Sequence, residues 1–211
     1  MEPLALNIRY LRALLHIAAT KDIRYYLNGV QVIACPQRGK LYAATDGHRA
    51  AVLHEAWPEN EQVQSLELII PREVPAKVKS AKRLDHGTLT HVSGLKYALD
   101  NGDGLAVQFD VIDAKFPDWS RVFPTETSGA PGAYNWQYLA NFNDMVQDAT
   151  GSNRLHSCDL YQNGAESVAL VRHPALDFVG AVMPLRGNKQ DDAPGLPAWF
   201  NITPPGLLKA A

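Results

Sequence analysis

The stretch ATDGHRAAVLHE, residues 44–55, places an aspartate, two histidines and an arginine within one apolar segment. Polar residues in such a setting can form a catalytic site, or they can form a turn that only shapes a surface. In the second interpretation, Asp46 supports the backbone of Gly47, as aspartate does in many tight turns. The segment Asp-Gly-His-Arg contains no nucleophile, so evidence from the rest of the chain is needed to distinguish a catalytic site from a turn.

Composition limits what this segment can belong to. The 211 residues are enough for one large or two small domains, and a hydrophobic content of 46% allows a substantial core. Cys35 and Cys158 have no metal-binding or redox spacing, which is typical of reduced thiols in a cytoplasmic protein. The start Met-Glu-Pro does not resemble a signal peptide, and no run of about 18 apolar residues is present. We therefore expect a cytoplasmic protein that does not enter a membrane.

Hydrophobic spacing predicts three similar rounds of structure along the chain. Each round is a strand, a helix and two strands, and the first two rounds suggest a repeat of about sixty residues. Asn7 is the predicted N-cap of the first helix, and DNGDG, residues 100–104, predicts a β-hairpin. The predicted helices cover residues 7–21, 74–84 and 136–150. The predicted strands cover 25–34, 40–54, the extended run SLELIIPREV (65–74), 88–99, 105–111, 158–161, 167–172 and 177–183. The pattern favours an α+β fold with sheets on one side and helices on the other.

Basic residues are concentrated on the first two helical regions, although the formal charge of the chain is −2. Such residues can form a solvated helix face, or they can face the phosphates of nucleic acid without reading its sequence. The candidates for a DNA-facing role are Arg9, Arg12, Lys21, Arg24, Lys77, Lys79, Lys82 and Arg83. The third helix carries no lysine or arginine, so any contact with DNA should be uneven.

No motif indicates catalysis, a cofactor or a metal. The pairs His48 with His54 and His86 with His91 lack the spacing of metal ligands on a helix. No P-loop, dinucleotide-binding fingerprint or Gly-x-Ser-x-Gly sequence is present. We expect the chain not to be an enzyme and to need neither a cofactor nor a metal ion.

Four motifs carry a family resemblance, and they are DIRYYLNGV (22–30), ATDGHRAAV (44–52), KFPDWSRVFP (115–124) and AVMPLR (181–186). In this order they resemble landmarks of the bacterial DNA polymerase III beta subunit, the sliding clamp. The resemblance implies an α+β clamp fold with antiparallel sheets outside and helices inside. Residues 1–128 resemble the complete middle domain of a clamp, residues 129–187 resemble the second half of its C-terminal domain, and residues 188–211 form a tail rich in proline and glycine.

The resemblance also gives the opening stretch a role as part of a peptide-binding pocket. In beta clamps these motifs converge on an apolar pocket that holds short linear motifs of polymerases, the clamp loader and repair proteins. Ala50 departs from the family, which usually has a larger aliphatic residue there. Carried over by motif, the pocket would contain Leu27, Thr45, Gly47, His48, Arg49, Pro117, Arg121, Val122, Asn135, Tyr138, Val168, Val182, Met183, Pro184, Leu185 and Arg186.

Two functions remain open at the level of sequence. The chain can be a sliding-clamp-like processivity factor that encircles duplex DNA as a homo-oligomer, with a tetramer as the first hypothesis and a dimer as the second. Alternatively, it can be an adaptor or decoy that binds clamp-binding motifs of host replication proteins without encircling DNA. The tail segment GLPAWF, residues 195–200, can dock into the pocket and compete with partners, or it can have no such role.

Overall fold

The computed structural model describes residues 2–58, 65–78, 85–152 and 157–186. The helices are α1 (Ile8–Ala13), α2 (Glu73–Lys77) and α3 (Trp136–Thr150), and short 3-10 helices lie at Leu14–His16, Tyr25–Leu27 and Trp119–Arg121. The strands are β1 (Leu4–Asn7), β2 (Gly29–Cys35), β3 (Gly39–Thr45), β4 (Arg49–Glu55), β5 (Leu66–Pro71), β6 (His86–Ser93), β7 (Lys96–Asp100), β8 (Ala106–Asp110), β9 (Asp159–Tyr161), β10 (Ala169–His173) and β11 (Leu176–Val182).

Helix α1 begins where the sequence predicts and ends earlier. Asn7 is its N-cap, because Asn7 Oδ1 accepts a hydrogen bond from a backbone N–H of the first turn at 3.1 Å. The apolar spacing predicts a helix to Lys21, but the regular helix is only 6 residues long and continues as a 3-10 turn. The guanidinium of Arg72 donates to three backbone carbonyls between residues 15 and 19. These bonds satisfy carbonyls that a longer helix would have paired, so the chain can leave the helix here.

The strand predictions were incomplete, because two of the extended runs fold back on themselves. Residues 40–54 form β3 and β4 around a turn at Gly47, and residues 88–99 form β6 and β7 around a turn at Gly94. Both glycines have positive φ, 90° and 54°, which glycine adopts without the steric cost of a Cβ atom. Each of the first two units therefore has one strand more than predicted. The predicted hairpin at DNGDG is confirmed, since it joins β7 and β8.

Every strand pair is antiparallel, and the first two units exchange their leading strands. One sheet has the order β1-β6-β7-β8, and the other has the order β5-β2-β3-β4-β11-β10-β9. Strand β1 of the first unit therefore lies beside β6 of the second, while β5 of the second lies beside β2 of the first. The third unit joins the first through β4 and β11, where Val52 faces Val179. The seven-stranded sheet thus continues across the boundary predicted near residue 128.

The helices and both sheets share one apolar core. Leu11 and Leu14 from the first helical segment, and Phe142 and Met145 from α3, are fully buried within it. Gly180 of β11 leaves room for the ring of Phe142, so α3 lies close against the sheet. None of the helices in the described ranges is both long enough and apolar enough to cross a membrane. The tail from residue 188 and the part of the predicted second helix beyond Val78 lie outside the described residues.

Candidate functional site

A pocket of about 250 Å³ opens at one end of the seven-stranded sheet. At this end the chain enters β2, turns from β3 to β4, enters β10 and leaves β11, while residues 117–122 form a further wall. The lining residues are Arg24, Tyr26, Leu27, Thr45, Gly47, His48, Arg49, Ala50, Pro117, Trp119, Val122, Val168, Ala181 and Met183. The pocket therefore draws on the first unit, on the third unit and on the segment that leads from the second unit into the third.

The structure brings nine of the sixteen predicted pocket residues together in this lining. They are Leu27, Thr45, Gly47, His48, Arg49, Pro117, Val122, Val168 and Met183. The lining also contains Ala50, the position at which the sequence departs from the family. The sequence interpretation missed four lining residues, namely Arg24, Tyr26, Trp119 and Ala181. All four belong to the motifs of the family resemblance, so their place in those motifs was the signal that could have found them.

Two further predicted residues lie beside the pocket but do not line it. Tyr138 stacks on His48, with ring centroids 6.1 Å apart, and therefore supports the β3–β4 turn from behind. Arg121 points its side chain largely into solvent and pairs with Asp118, with Nε and Oδ2 2.8 Å apart.

The other five predicted pocket residues lie in the core, at the start of α3 or in the segment after β11. Val182 is fully buried in the main core, because successive side chains of β11 alternate between the two faces of the sheet. Asn135 caps α3 by accepting a hydrogen bond from the backbone N–H of Gln137 at 2.9 Å. Leu185 donates its backbone N–H to the carbonyl of Ala133, and this contact ties the chain after β11 to the start of α3. Pro184 and Arg186 flank Leu185 and are not in the lining.

The turn between β3 and β4 holds its shape through its own side chains. Asp46 Oδ1 accepts hydrogen bonds from the backbone N–H groups of His48 and Arg49, at 2.9 and 3.0 Å. Thr45 Oγ1 accepts from the N–H of Gly47 at 3.0 Å and donates to the carbonyl of Arg49 at 2.7 Å. Both polar side chains are occupied in stabilising the turn. Of the two interpretations of the opening stretch, the structure favours a shaped surface over a catalytic site.

Three arginines around the pocket are each paired with an aspartate two or three residues away. The pairs are Arg24 with Asp22 at 2.7 Å, Arg49 with Asp46 at 3.1 Å, and Arg121 with Asp118 at 2.8 Å. The hydrogen bonds from Arg24 lower the pKa of Asp22 to about 2, so this carboxylate stays charged throughout the physiological range. Each positive charge is therefore balanced locally. The pocket presents apolar walls with polar donors and little net charge.

Two of the described basic residues predicted to face DNA are engaged in contacts within the chain. Arg9 pairs with Asp85 at 2.8 Å, and Arg12 donates to the carbonyl of Pro75 at 3.1 Å. Lys21 and Lys77 are exposed. The remaining candidates on the second helical region, Lys79, Lys82 and Arg83, lie outside the described residues.

The prediction of a DNA-facing role for Arg24 rests on its charge at the exit of the first helix. The structure places Arg24 in the pocket wall, where its Nη2 donates to the carbonyl of Asp46 at 3.1 Å. Arg24 directly precedes the 3-10 helix Tyr25–Leu27 and β2, so it lies at the strand end of the sheet. Across the described ranges, no group of three or more histidine, cysteine, aspartate or glutamate side chains is placed to hold a metal ion.

Comparison with known proteins identifies the protein family to which this fold and this site are similar. The family model for the central domain of the DNA polymerase III beta subunit matches residues 9–118. The beta sliding clamp of Caulobacter vibrioides is 36% identical over 114 residues, which is 52% of this chain and 30% of the relative. The Escherichia coli beta sliding clamp is 30% identical over 125 residues, which is 58% of this chain and 32% of that protein.

Solved sliding clamps share the fold over a longer part of the chain. A beta sliding clamp structure from Caulobacter crescentus gives a TM-score of 0.65 at 21% identity, covering 89% of this chain and 66% of that one. The DNA polymerase III beta subunit of Pseudomonas aeruginosa gives a TM-score of 0.64 at 17% identity, with 89% and 66% coverage. The predicted α+β clamp fold is thereby confirmed.

The fold and the pocket define a clamp-type protein built from repeated units. The chain belongs to the DNA polymerase III beta subunit family, since the family model covers more than half of it. It spans just under two thirds of the length of the solved clamps, and the sequence matches span about a third of the curated relatives. The expectation that the chain is not an enzyme agrees with this family, whose members are clamps.

Proposed function

We propose that the pocket binds a short apolar peptide segment of a partner protein. The observation that carries this proposal is the composition of the pocket wall, in which Leu27, Val168 and Met183 lie beside balanced arginine–aspartate pairs. A volume of about 250 Å³ is below the range of roughly 300–1,000 Å³ that suits drug-sized ligands. The pocket therefore fits one or two apolar side chains and the backbone that carries them.

The polar groups of the wall suit a peptide backbone. Arg24, His48 and Arg49 line the pocket, and each can donate a hydrogen bond to a peptide carbonyl. Met183 is flexible enough to adapt to different apolar side chains. The resemblance to beta clamps, whose equivalent pocket holds short linear motifs, supports the same function.

Aspartate substitutions at the exposed rim test this proposal. Val122 and Met183 line the pocket and are 41% and 40% exposed, so aspartate at either position should leave the fold intact. Val92 on β6 is 47% exposed outside the lining and provides a matched control. Fluorescence anisotropy with an uncharged labelled pentapeptide, containing two leucines and a phenylalanine, should show binding by the wild type and by Val92→Asp. Val122→Asp and Met183→Asp should bind at least about tenfold more weakly. Equal affinity in all four proteins, or no binding by the wild type, would overturn the proposal.

We further propose that copies of the chain assemble into a ring that encircles duplex DNA and tethers polymerase, clamp-loader or repair proteins. Strands β8 and β9 each pair with a neighbour on one side only, among the strands that the structure describes. Such edges can pair with strands of another copy, as closed assemblies require. A tetramer is the first expectation and a dimer is the second.

Light scattering and DNA retention test the ring. The native mass should be four times the 23.2 kDa of one chain, or twice that mass for a dimer, and should not change with concentration, whereas a monomer would contradict the ring. The protein should also remain on closed circular DNA and slide off the same DNA after linearisation. Equal retention on circular and linear DNA would contradict encirclement.

A non-encircling adaptor or decoy is favoured by one observation. Arg9 and Arg12 are engaged with Asp85 and with the carbonyl of Pro75, and α3 carries no lysine or arginine. The described helix layer therefore offers few free positive charges to the phosphates of DNA. A monomer that binds the peptide but does not associate with DNA would support the adaptor.

A further inference from the structure

We propose that Asn141, on helix α3, is a positioning residue that orients the guanidinium of Arg49 in the pocket wall. This inference rests on the proposed peptide-binding function. Asn141 does not line the pocket, and no motif of the family resemblance contains it. Its role would be to fix the direction in which Arg49 donates hydrogen bonds.

The guanidinium of Arg49 is held from three sides. Its Nε lies 3.1 Å from Asp46 Oδ2, and its Nη1 donates to Asn141 Oδ1 at 2.6 Å. The ring of Tyr138 covers one face of the group, with the ring centroid 4.7 Å from Cζ. The side chain is only 9% exposed, so these contacts are largely shielded from water. A planar group held at two edges and one face has little freedom to rotate.

Helix α3 gives Asn141 a fixed position. Tyr138 and Asn141 are three residues apart, so they lie next to each other on one face of the helix. The neighbouring Phe142 and Met145 are fully buried in the core, and Asn135 caps the start of the helix. The acceptor that Arg49 meets therefore belongs to an anchored element, 92 residues away along the chain.

This arrangement leaves one edge of the guanidinium for a ligand. Within the described part of the chain, nothing accepts a hydrogen bond from Nη2 of Arg49, and Arg49 lines the pocket. A peptide carbonyl in the pocket can therefore accept from Nη2. Because the guanidinium is already oriented, binding does not have to immobilise it, and the affinity for the peptide is higher than with a mobile arginine. In this way Asn141 and Tyr138 of the third unit orient Arg49, which belongs to the β3–β4 hairpin of the first unit.

Two substitutions of Asn141 distinguish the loss of the hydrogen-bond acceptor for Arg49 from a general disturbance of helix α3. Asn141→Ala removes the oxygen and should weaken binding of the uncharged pentapeptide about tenfold. Asn141→Asp keeps an acceptor for Arg49 and should restore affinity to within about threefold of the wild type. Asn143→Ala removes a partly buried amide from the same helix and should bind like the wild type. Melting curves of all variants establish that each is folded.

A double-mutant cycle with Arg49 tests whether Asn141 acts through the guanidinium. In an Arg49→Ala background, Asn141→Ala should change the peptide affinity by less than about twofold. A tenfold loss in both backgrounds would show that Asn141 only supports the fold and would overturn the positioning role. Unchanged affinity of Asn141→Ala in the wild-type background would also overturn it while leaving the proposed function intact. If the wild type binds no peptide, the proposed function fails and the role of Asn141 fails with it.

Discussion

His54 Nδ1 and Asp177 Oδ2 lie 2.6 Å apart across the junction of β4 and β11, where the first repeat unit meets the third. The other ring nitrogen, Nε2, lies 2.7 Å from the carbonyl oxygen of Arg38. Both partners are hydrogen-bond acceptors, and a neutral imidazole has only one N–H to donate. A protonated imidazole has two N–H groups and can donate one to each of these acceptors. The hydrogen bond with Asp177 accordingly raises the pKa of His54 above its ordinary value of 6.5.

The first prediction is that His54 makes the junction more stable in mild acid. Because the folded-state pKa is raised, the stabilisation is fully present below the unfolded value of 6.5 and is lost as the pH rises through the folded-state pKa. The free energy of unfolding, measured with urea at pH 5.5 and pH 8.5, should fall by less in His54→Gln than in the wild type. The difference should be at most about 1 kcal/mol, since solvent screens an exposed pair. An identical pH dependence in the two proteins would show that the pair contributes nothing.

The second prediction concerns Lys40, a lysine that is only 1% exposed. Its Nζ donates to the carbonyl of Ala5 at 2.9 Å and pairs with Glu55 Oε1 at 2.8 Å, so it ties β1 to β3 and β4. Lys40→Met leaves Glu55 partly buried without its main counter-charge and should lower the free energy of unfolding by about 3 kcal/mol.

Lys96 offers the matched control for this substitution. It pairs with Asp110 at 3.4 Å, but both side chains are exposed. Lys96→Met should therefore change the free energy of unfolding by less than about 0.5 kcal/mol. Equal losses from Lys40→Met and Lys96→Met in urea titrations would mean that burial does not strengthen the Lys40 contacts.

The third prediction concerns the close approach of α3 to β11 at Gly180. A Cβ atom added there would lie 2.5 Å from Cε1 of Phe142 and 3.0 Å from Cβ of Val171. Gly180→Ala should cost about 1–3 kcal/mol of stability, because both neighbours are buried and have little room to move. A smaller side chain at position 142 should relieve this crowding. The double variant Gly180→Ala, Phe142→Leu should therefore be at least about 0.5 kcal/mol more stable than the sum of the single effects predicts. Strict additivity would show that the two positions are not in contact.

The sequence predicted helix α3 and the hairpin at residues 100–104 well, and it predicted long-range pairing poorly. Helix α3 begins and ends where predicted, because its apolar spacing, its Asn135 cap and its Gly151 C-cap, with φ of 65°, are all local signals. The early end of α1 was missed because it depends on Arg72, more than fifty residues away. The exchange of β1 and β5 was missed for the same reason, since alternation along a strand does not identify its neighbour.

In the candidate site, too, residues within local motifs were predicted and contacts between distant segments were not. The residues found by motif, such as Gly47 and Met183, lie in the pocket because the motifs include the turn and the strand end that form it. The place of Arg24 in the pocket wall was not predicted, because charge alone does not indicate which face a residue lies on. Asn141 lies outside the four motifs, and its contact with Arg49 requires the tertiary structure.

NMR shows directly whether a short apolar peptide binds in the pocket between the first and third units. The uncharged pentapeptide is titrated into the ¹⁵N-labelled protein while the backbone amide resonances are followed. Binding in the pocket should produce shifts that saturate and are concentrated at Gly47, His48, Arg49, Val168 and Met183, with little change at Val92 and Leu95 of the β6–β7 hairpin. Shifts centred on the sheet that contains β6 and β7, or no shifts up to millimolar peptide, would contradict binding in the pocket.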